Sequence, residues 1–301
     1  MALSSCETRI NRQGMELNQH GTGLFPIACY HDDLRKEAVP WHWHVELEVG
    51  VVTEGTAVIA VGNERFLAKQ GEGFFVNSGV LHAMWNQDQS SCRFHSAVFH
   101  PRLVGGNIDS IFWQNYIQPL IADQTRQSIH FIGSKSWHRD VMDAIEQAWK
   151  SCVEEPPGYD LQVRNALSQV AFLLSRNRCV SAVPPSGKVL RDEERMKKML
   201  QFIQENYAAE ISTETIAGSA MISESECLRC FRNTIGTPPI QYLRQFRIQK
   251  AAEALTSTSE SVAEIAFRCG FQDASYFAKI FHEMRGCTPS AYRKVRTARM
   301  P

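Results

Sequence analysis

The chain has 301 residues, and its 32 Lys and Arg balance 32 Asp and Glu, so the formal net charge is zero. With 44% hydrophobic and 21% charged residues, the composition is that of a globular protein long enough for two domains, which excludes a disordered or fibrous chain. No apolar run approaches about 18 residues and no signal-peptide pattern is present, so we expect a cytoplasmic protein without a membrane partner.

Short apolar runs separated by glycines dominate residues 20–130. The runs cover residues 47–52, 57–61, 73–76 and 96–99. Such punctuation is typical of the strands of a β-sandwich or β-barrel rather than of helices. We therefore predict a β-rich N-terminal domain over residues 20–130.

Three histidines and one carboxylate stand in this half at a spacing that suits a binding site. If residues 41–49 form one strand, His42, His44 and Glu48 share a face of that strand. His82 comes from a later strand. Imidazole nitrogens and a carboxylate together form a ligand set for a divalent transition-metal ion.

The same segment resembles the two motifs of the cupins, with Asn77 where the cupin motif usually has Pro and without the Gly that usually precedes the first histidine. The matching residues are His42, His44, Glu48, Gly55, Gly71, Gly79, His82 and Asn86. The resemblance implies a cupin-like barrel. An effector pocket without metal, lined by His42, His44, Glu48 and His82, is the preferred interpretation of the polar set. A divalent metal held by the same four residues, and purely structural histidines, are the alternatives.

Two amphipathic helical patterns follow, over residues 137–152 and 161–178, with apolar residues at intervals of three and four. The intervening residues 154–158 include two prolines and a glycine, which separate the two helices. We predict a helical segment over residues 135–178, which either covers the barrel or joins two copies of the chain.

A stretch rich in Pro, Ser and Gly then predicts an interdomain linker over residues 179–190. The charge changes sign at this point. From residue 188 onward 17 Lys and Arg face 13 Asp and Glu, a net charge of +4, whereas the preceding part has a net charge of −4. The C-terminal domain, over residues 191–296, is therefore weakly basic, in the direction expected of a domain that binds a polyanion.

Residues 262–285 have the pattern of two short helices about a tight turn. Apolar residues stand at helical spacing on both sides of Gly270, which suits the left-handed residue between two helices. Asp273 or Ser275 can cap the second helix. This is the pattern of a helix-turn-helix, whose second helix enters the DNA major groove.

This segment and the residues after it resemble the C-terminal signature of AraC/XylS-type bacterial transcription regulators. The matching residues are Ile265, Ala266, Gly270, Phe271, Asp273, Ser275, Tyr276, Phe277, Phe281, Gly286, Pro289, Tyr292, Arg293 and Lys294. The number of matches at fixed spacing makes the resemblance specific.

A second copy of the pattern stands roughly 50 residues earlier. The repeated residues are Ile216, Ala217, Ser225, Arg229, Phe231, Gly236 and Tyr242. The pattern predicts a tandem pair, with one helix-turn-helix at about 213–234 and the other at about 262–285. Between them, a run of good helix formers predicts a rod of about 16 residues and about 24 Å. Such a rod could hold two recognition helices near the roughly 34 Å that separates successive major-groove faces.

The polar positions at the start of each recognition helix are the candidate DNA contacts. They are Glu224, Ser225, Glu226, Arg229 and Arg232 in the first module, and Gln272, Asp273, Ser275, Tyr276 and Lys279 in the second. Arg229 and Lys279 are preferred, because cationic side chains bind both guanine and phosphate. Carboxylates at 224 and 226 repel phosphate, although a carboxylate can accept a hydrogen bond from cytosine. The apolar positions, Leu228 and Phe281 among them, are expected to pack.

The nine cysteines, an odd number, are expected to be reduced thiols. Cys227 and Cys230 form a C-x-x-C pair, which raises the possibility of a zinc or redox site. Both lie on the apolar stripe of the first recognition helix, and no second pair or nearby histidines complete a zinc site. Packing in the core is therefore preferred.

Together the resemblances imply an α+β multidomain protein, with an N-terminal cupin-like β-barrel, following helices and a C-terminal all-α tandem helix-turn-helix domain. They imply a transcription regulator, activator or repressor, without catalytic residues, that binds double-stranded DNA and a small-molecule effector. RNA polymerase and a second copy of the chain, joined through residues 135–178, are the further implied partners. A metal-dependent cupin enzyme is one alternative, but it leaves the C-terminal third without a use. A DNA-binding protein whose barrel only dimerises is the other.

Overall fold

The computed structural model describes residues 20–36, 38–88, 90–123, 125–177 and 187–297. These residues divide into two compact units. The first reaches Glu193 and the second begins at Glu194.

The first unit contains two antiparallel sheets. Its strands are β1 (Ile27–Asp33), β2 (Val39–His42), β3 (Leu47–Glu54), β4 (Thr56–Val61), β5 (Glu64–Lys69), β6 (Gly73–Val76), β7 (His82–Asn86), β8 (Arg93–Phe99) and β9 (Ser128–Phe131). One sheet has the order β1-β8-β3-β6-β9 and the other β2-β7-β4-β5. The predicted runs correspond to β3, β4, β6 and β8, so the predicted cupin-like β-domain is confirmed.

Strand β3 shows how the two sides of the larger sheet are used. Leu47, Val49 and Val51 belong to a core shared with the helices. Val52 belongs instead to the core between the two sheets, together with Ile59 of the smaller sheet. Because successive residues of a strand point to opposite faces, Glu48 points into the space between the sheets.

Helices cover the outer face of the larger sheet. Short segments follow β8, namely α1 (Arg102–Gly105), a π-helical turn (Trp113–Ile117) and α2 (Gln118–Ile121). Two long helices, α3 (Ser136–Glu154) and α4 (Tyr159–Arg176), come after β9. Val141 and Ile145 of α3 and Val163 and Leu167 of α4 are fully buried in the core that includes Leu47. Both predicted helices are therefore present, and both cover the sheet.

The predicted linker overlaps only partly with the described residues. Its residues 179–186 lie outside the described ranges. Residues 187–190 are helical and begin α5 (Gly187–Asn206), so this part of the predicted linker is regular helix. The physical reason is that no Gly or Pro follows Gly187 before the end of α5, so good helix formers continue from Lys188 onward.

The second unit is entirely helical. After α5 it contains α6 (Thr213–Ser219), α7 (Glu224–Thr234), α8 (Pro239–Ser257), α9 (Val262–Arg268), α10 (Ala274–Arg285) and α11 (Pro289–Thr297). Helix α8 contacts α6 and α7, which precede it in the chain, and α9, α10 and α11, which follow it. It is the connecting rod between two helix-turn-helix modules, and the predicted all-α tandem architecture is confirmed.

Among the described helices, none combines the length and the apolar character that crossing a lipid bilayer requires.

Candidate functional site

The three histidines and the glutamate lie together between the two sheets. His42 ends β2 and pairs in register with His82 at the start of β7. Glu48 enters from β3 in the other sheet, and His44 lies in the connection between β2 and β3. All four residues are at most 5% exposed. One potential ligand atom from each residue lies within 4.8 Å of all the others.

The prediction of one continuous strand through His42, His44 and Glu48 is wrong. Strand β2 ends at His42, and β3, in the other sheet, begins at Leu47. The chain crosses from one sheet to the other through residues 43–46. The four side chains converge because two sheets face each other, rather than because of alternation along a strand.

Backbone carbonyls orient the imidazole rings. The Nδ1 atoms of His42 and His82 lie 2.8 Å from the carbonyl oxygens of Pro40 and Val80. The Nδ1 atom of His44 lies 3.2 Å from the carbonyl oxygen of Glu46. Since a carbonyl oxygen only accepts, Nδ1 carries the proton in each ring, and Nε2 presents a lone pair when the ring is neutral.

The carboxylate of Glu48 lies among these Nε2 atoms. Its Oε2 atom is 3.0 Å from Nε2 of His82 and 3.7 Å from Nε2 of His44. Burial alone would raise the pKa of Glu48, but interactions with the His44 and His82 rings outweigh burial and hold its pKa well below the usual range. The glutamate is therefore ionised in this buried position.

A fourth histidine, not anticipated from the sequence, borders the cluster. The ring of His20 stands edge-on to that of His44, with 5.4 Å between ring centroids. Nδ1 of His20 lies 2.8 Å from the hydroxyl of Tyr30. His20 precedes the first strand and has no motif around it, so only the folded chain brings it to His44.

The space among the four side chains is small. Ring centroids are 4.2 Å apart for His42 and His82, 4.9 Å for His44 and His82, and 5.5 Å for His42 and His44. Rings at these distances are in contact with one another. The spacing leaves room between the rings for an ion rather than for an organic molecule.

Asn77, which replaces the usual proline of the cupin motif, has a clear structural role. Its side-chain amide donates to the carbonyl oxygens of Leu120, at 2.9 Å, and Arg126, at 3.0 Å. Its side-chain oxygen accepts from the backbone N–H of Ser78. The residue is buried and ties α2 and the segment after it to the end of β6.

In the second unit, the later module has a tight turn between α9 and α10. Gly270 has a φ of +83°, and a β-carbon there would lie 2.6 Å from the carbonyl oxygen of Tyr207. Asp273 caps α10, because its carboxylate accepts from the backbone N–H of Tyr276 at 2.6 Å. The left-handed conformation expected of Gly270 and the helix cap expected of Asp273 are both confirmed. The carboxylate of Asp273 is bound to the N-terminus of α10.

The earlier module repeats this geometry with different residues. Met221 takes the left-handed position of Gly270, with a φ of +55°. The N–H of Ile222 donates to the carbonyl of Ala217 at 3.2 Å, as Phe271 donates to Ala266 at 3.0 Å. Ser223 caps α7 by accepting from the N–H of Glu226. The repeat is thus one of backbone conformation as well as of sequence.

The predicted DNA contacts lie on the first turns and outer faces of α7 and α10. Exposed members are Glu224, Ser225, Arg232, Gln272, Asp273, Ser275, Tyr276 and Lys279. Glu226 and Arg229 are half-buried. Leu228, which was expected to pack, is 39% exposed. Leu228 lies one position outside the buried face of α7. Cys227 and Cys230 lie on that buried face, as expected.

An ion cluster accounts for Glu226. Its Oε1 atom is 2.9 Å from Nη1 of Arg195 in α5 and 3.3 Å from Nη2 of Arg229. Two guanidinium groups thus face one carboxylate, so this glutamate is locally neutralised and its repulsion of phosphate is reduced. Arg195 has no signal in the local sequence, because it belongs to another helix 31 residues away.

Several signature residues hold the module together rather than facing solvent. The ring of Phe281 contacts that of Tyr292, with 5.4 Å between centroids. The guanidinium of Arg293 donates to the carbonyl oxygens of Leu255, at 3.2 Å, and Glu260, at 2.6 Å. These bonds tie α11 to the end of α8 and the start of α9, where backbone carbonyls lack helical partners.

Two family models match the chain. Residues 24–171 match a model described as an AraC-like ligand binding domain, and residues 216–295 match one described as a helix-turn-helix domain. The first contains the histidine and glutamate cluster. The second contains both recognition helices.

Full-length relatives are transcription regulators. The chain is 32% identical over 296 residues to the HTH-type transcriptional activator RhaS of Klebsiella pneumoniae (strain 342), covering 93% of this chain and 98% of that protein. It is 26% identical over 292 residues to the HTH-type transcriptional regulator YdeC of Bacillus subtilis (strain 168), covering 95% and 98%. Among solved structures, the DNA-binding domain of AdpA in complex with a target DNA is 31% identical in sequence to the matched part of this chain. The match covers 36% of this chain and 96% of the AdpA domain, with a TM-score of 0.34.

Proposed function

The chain belongs to the AraC family of transcriptional regulators, and we propose that it binds double-stranded DNA through both helix-turn-helix modules and adjusts that binding to a ligand of its N-terminal domain. Its relatives are regulators rather than enzymes. The metal-dependent enzyme considered from the cupin-like motif is therefore set aside.

The observation that supports two reading helices is the matched geometry of the modules. Each has a capped recognition helix preceded by a left-handed residue, at Met221 and Gly270. Each presents an exposed polar face with a cation at the equivalent position, Arg229 or Lys279. The connecting helix α8 has 19 residues, or about 28 Å, which suits two successive major-groove faces about 34 Å apart.

We further propose that the protein is an activator in the cytoplasm that contacts RNA polymerase and acts as a homodimer. The relative RhaS is named an activator. For the dimer, the outer face of α4 carries Leu161 and Phe172, which are 59% and 40% exposed, three turns apart. Large apolar side chains exposed along one helix face are a common feature of protein interfaces.

A footprint of the full chain on its own upstream region tests the proposal. We expect protection in two patches about one helical turn apart for each subunit, with a pattern that changes when the N-terminal ligand is added or removed. Absence of protected sequence under every condition would refute DNA regulation. Protection that ignores every ligand would instead support a barrel that only dimerises.

A further inference from the structure

We propose that His42, His44, Glu48 and His82 bind one divalent transition-metal ion, such as Zn²⁺, Ni²⁺ or Fe²⁺, within the N-terminal domain. This goes beyond the proposed function, because it identifies a ligand and a site. Metal binding can be measured without DNA, so its failure is distinct from a failure of DNA binding.

The positions of the donor atoms carry the proposal. All four lie within 4.8 Å of one another. In a tetrahedral site with metal–ligand bonds of about 2.0–2.1 Å, ligand atoms are about 3.3 Å apart. The 3.0 Å and 3.7 Å separations of Glu48 Oε2 from Nε2 of His82 and His44 already bracket that value. Small side-chain rotations would close the set on one ion.

The surroundings of the rings match those of metal-ligating histidines. A histidine that ligates through Nε2 characteristically donates its other N–H to a carbonyl or carboxylate, which fixes the ring. His42, His44 and His82 each direct Nδ1 at a backbone carbonyl. Nε2 of His44 is buried, and the carboxylate of Glu48, at 3.7 Å, is too far away for a hydrogen bond to it. A buried polar atom without a partner is costly, and an ion would satisfy it.

Other His–Glu pairs in the same domain lack these features. His95 pairs with Glu146, and His130 pairs with Glu72 at 2.8 Å, but both pairs are partly exposed. Among the described residues, the group in which three or more potential metal ligands lie close together consists of His42, His44, Glu48 and His82. The His130–Glu72 pair therefore offers a matched control.

The chemistry of the donors limits the metal. Three imidazole nitrogens and one carboxylate oxygen suit Zn²⁺, Ni²⁺, Fe²⁺ or Cu²⁺, whereas Mg²⁺ and Ca²⁺ prefer oxygen ligands alone. Four protein ligands complete a tetrahedral site for Zn²⁺, whereas Fe²⁺ or Ni²⁺ in a six-coordinate site would keep two further positions for water. Because the chain belongs to a regulator family, the ion is expected to stabilise or signal.

The test begins with the full-length protein dialysed against a chelator and then titrated with Zn²⁺ by calorimetry and with Co²⁺ by absorption spectroscopy. We expect one ion per chain and visible Co²⁺ bands without the near-ultraviolet thiolate band that cysteine ligands produce. A thiolate band would place the ion on cysteines and overturn the proposal. So would binding well below one ion per chain. The thiolate band and the stoichiometry are both measured on the wild-type protein.

Variants then locate the site. His44→Ala and Glu48→Gln should weaken Zn²⁺ affinity at least about 100-fold. His130→Ala should retain the wild-type stoichiometry and affinity. Zn²⁺ should raise the unfolding temperature of the wild type and of His130→Ala, but not of His44→Ala or Glu48→Gln. Equal affinity in all four proteins would overturn the assignment.

Discussion

Gly270 lies where the second helix-turn-helix contacts Tyr207, the residue that follows α5. Its φ of +83° is in the left-handed region, and a β-carbon would meet the carbonyl oxygen of Tyr207 at 2.6 Å and Nε of Arg247 at 2.9 Å. Arg247 itself donates to that carbonyl at 2.6 Å. Conformation and space both require glycine here, which gives the signature residue a physical cause.

Gly270→Ala should therefore lower the free energy of unfolding of the helical unit by about 3 kcal/mol, of which about 1 kcal/mol is the left-handed backbone. Gly286→Ala is the control, because its φ is +70° but nothing lies within 4 Å of the added carbon. It should cost only about 1 kcal/mol.

Far-ultraviolet circular dichroism in urea measures this difference, since helices dominate the C-terminal unit. All six tryptophans precede residue 150, so tryptophan fluorescence reports the N-terminal unit. Neither substitution should change the fluorescence transition. Equal costs for the two substitutions would contradict the close contact at Gly270.

His138 provides a pH-dependent contribution in the N-terminal unit. Burial, followed by the charges of Lys135 and His130, lowers the pKa of this histidine in the folded state. Its Nδ1 atom is buried without a hydrogen bond. The unfolded chain thus binds this proton more readily than the folded chain does. The contribution of neutral His138 to stability is therefore present above its unfolded pKa of about 6.5 and is lost as the pH falls through its folded pKa.

Replacing this residue, as His138→Phe, should reduce the loss of stability between pH 7 and pH 5. Urea unfolding followed by tryptophan fluorescence at the two pH values gives the comparison. Some dependence should remain, since the pKa values of His31 and His100 are lowered as well, chiefly by burial. An unchanged pH dependence in the variant would contradict the account.

The two helix-turn-helix modules differ in the residue between their helices. Met221 has a φ of +55° and is 85% exposed, so its side chain contributes little packing in return for the strained backbone. The equivalent residue in the second module is glycine. The first module is therefore built on the less favourable turn.

Met221→Gly should raise the free energy of unfolding of the helical unit by about 0.5–1 kcal/mol, because glycine removes the cost of the left-handed backbone. The greater conformational entropy of glycine in the unfolded chain offsets part of that gain. Met221→Ala is the control, as it removes the side chain but keeps the β-carbon. No gain is expected for alanine. The urea midpoint by circular dichroism measures both, and a gain in the alanine variant alone would refute the argument.

At the level of elements, the sequence predicted the strands β3, β4, β6 and β8 from apolar runs separated by glycines. It predicted both long helices of the first unit and both helix-turn-helix modules from the helical spacing of their apolar residues. It missed the break at residues 43–46. No glycine or proline interrupts residues 41–49, so the alternating pattern runs through the connection. The crossing between sheets depends on tertiary packing, which no local pattern encodes.

The candidate sites divide in the same way. Motif spacing identified all four members of the histidine and glutamate cluster, although for the wrong geometric reason. The neighbour His20 and the ion partner Arg195 were missed, because each comes from a distant element without a motif. Leu228 was misplaced by one position on its helix, which is within the error of a stripe drawn on a short segment.

At the scale of the whole molecule, the proposed dimer depends on the outer face of α4. Leu161→Asp together with Phe172→Asp places charge on that face without changing the buried side. Light scattering should show a dimer for the wild type and a monomer for the double variant. Gln162→Asp and Gln169→Asp, also exposed on α4, form the control and should leave the dimer intact. A monomeric wild type would refute this interface.

The division of charge also has a consequence for the whole chain. The C-terminal part carries a net charge of only +4, and the part before residue 188 carries −4. DNA affinity should therefore fall with salt, but with a shallow slope, as few phosphates are neutralised.

The most direct measurement of two-helix binding is a hydroxyl-radical footprint of wild type, Arg229→Ala and Lys279→Ala on one target at matched occupancy. We predict two protected patches about 10 base pairs apart for each wild-type subunit. Arg229→Ala should weaken one patch and Lys279→Ala the other. A single protected patch, or two variants that weaken the same patch, would contradict the account.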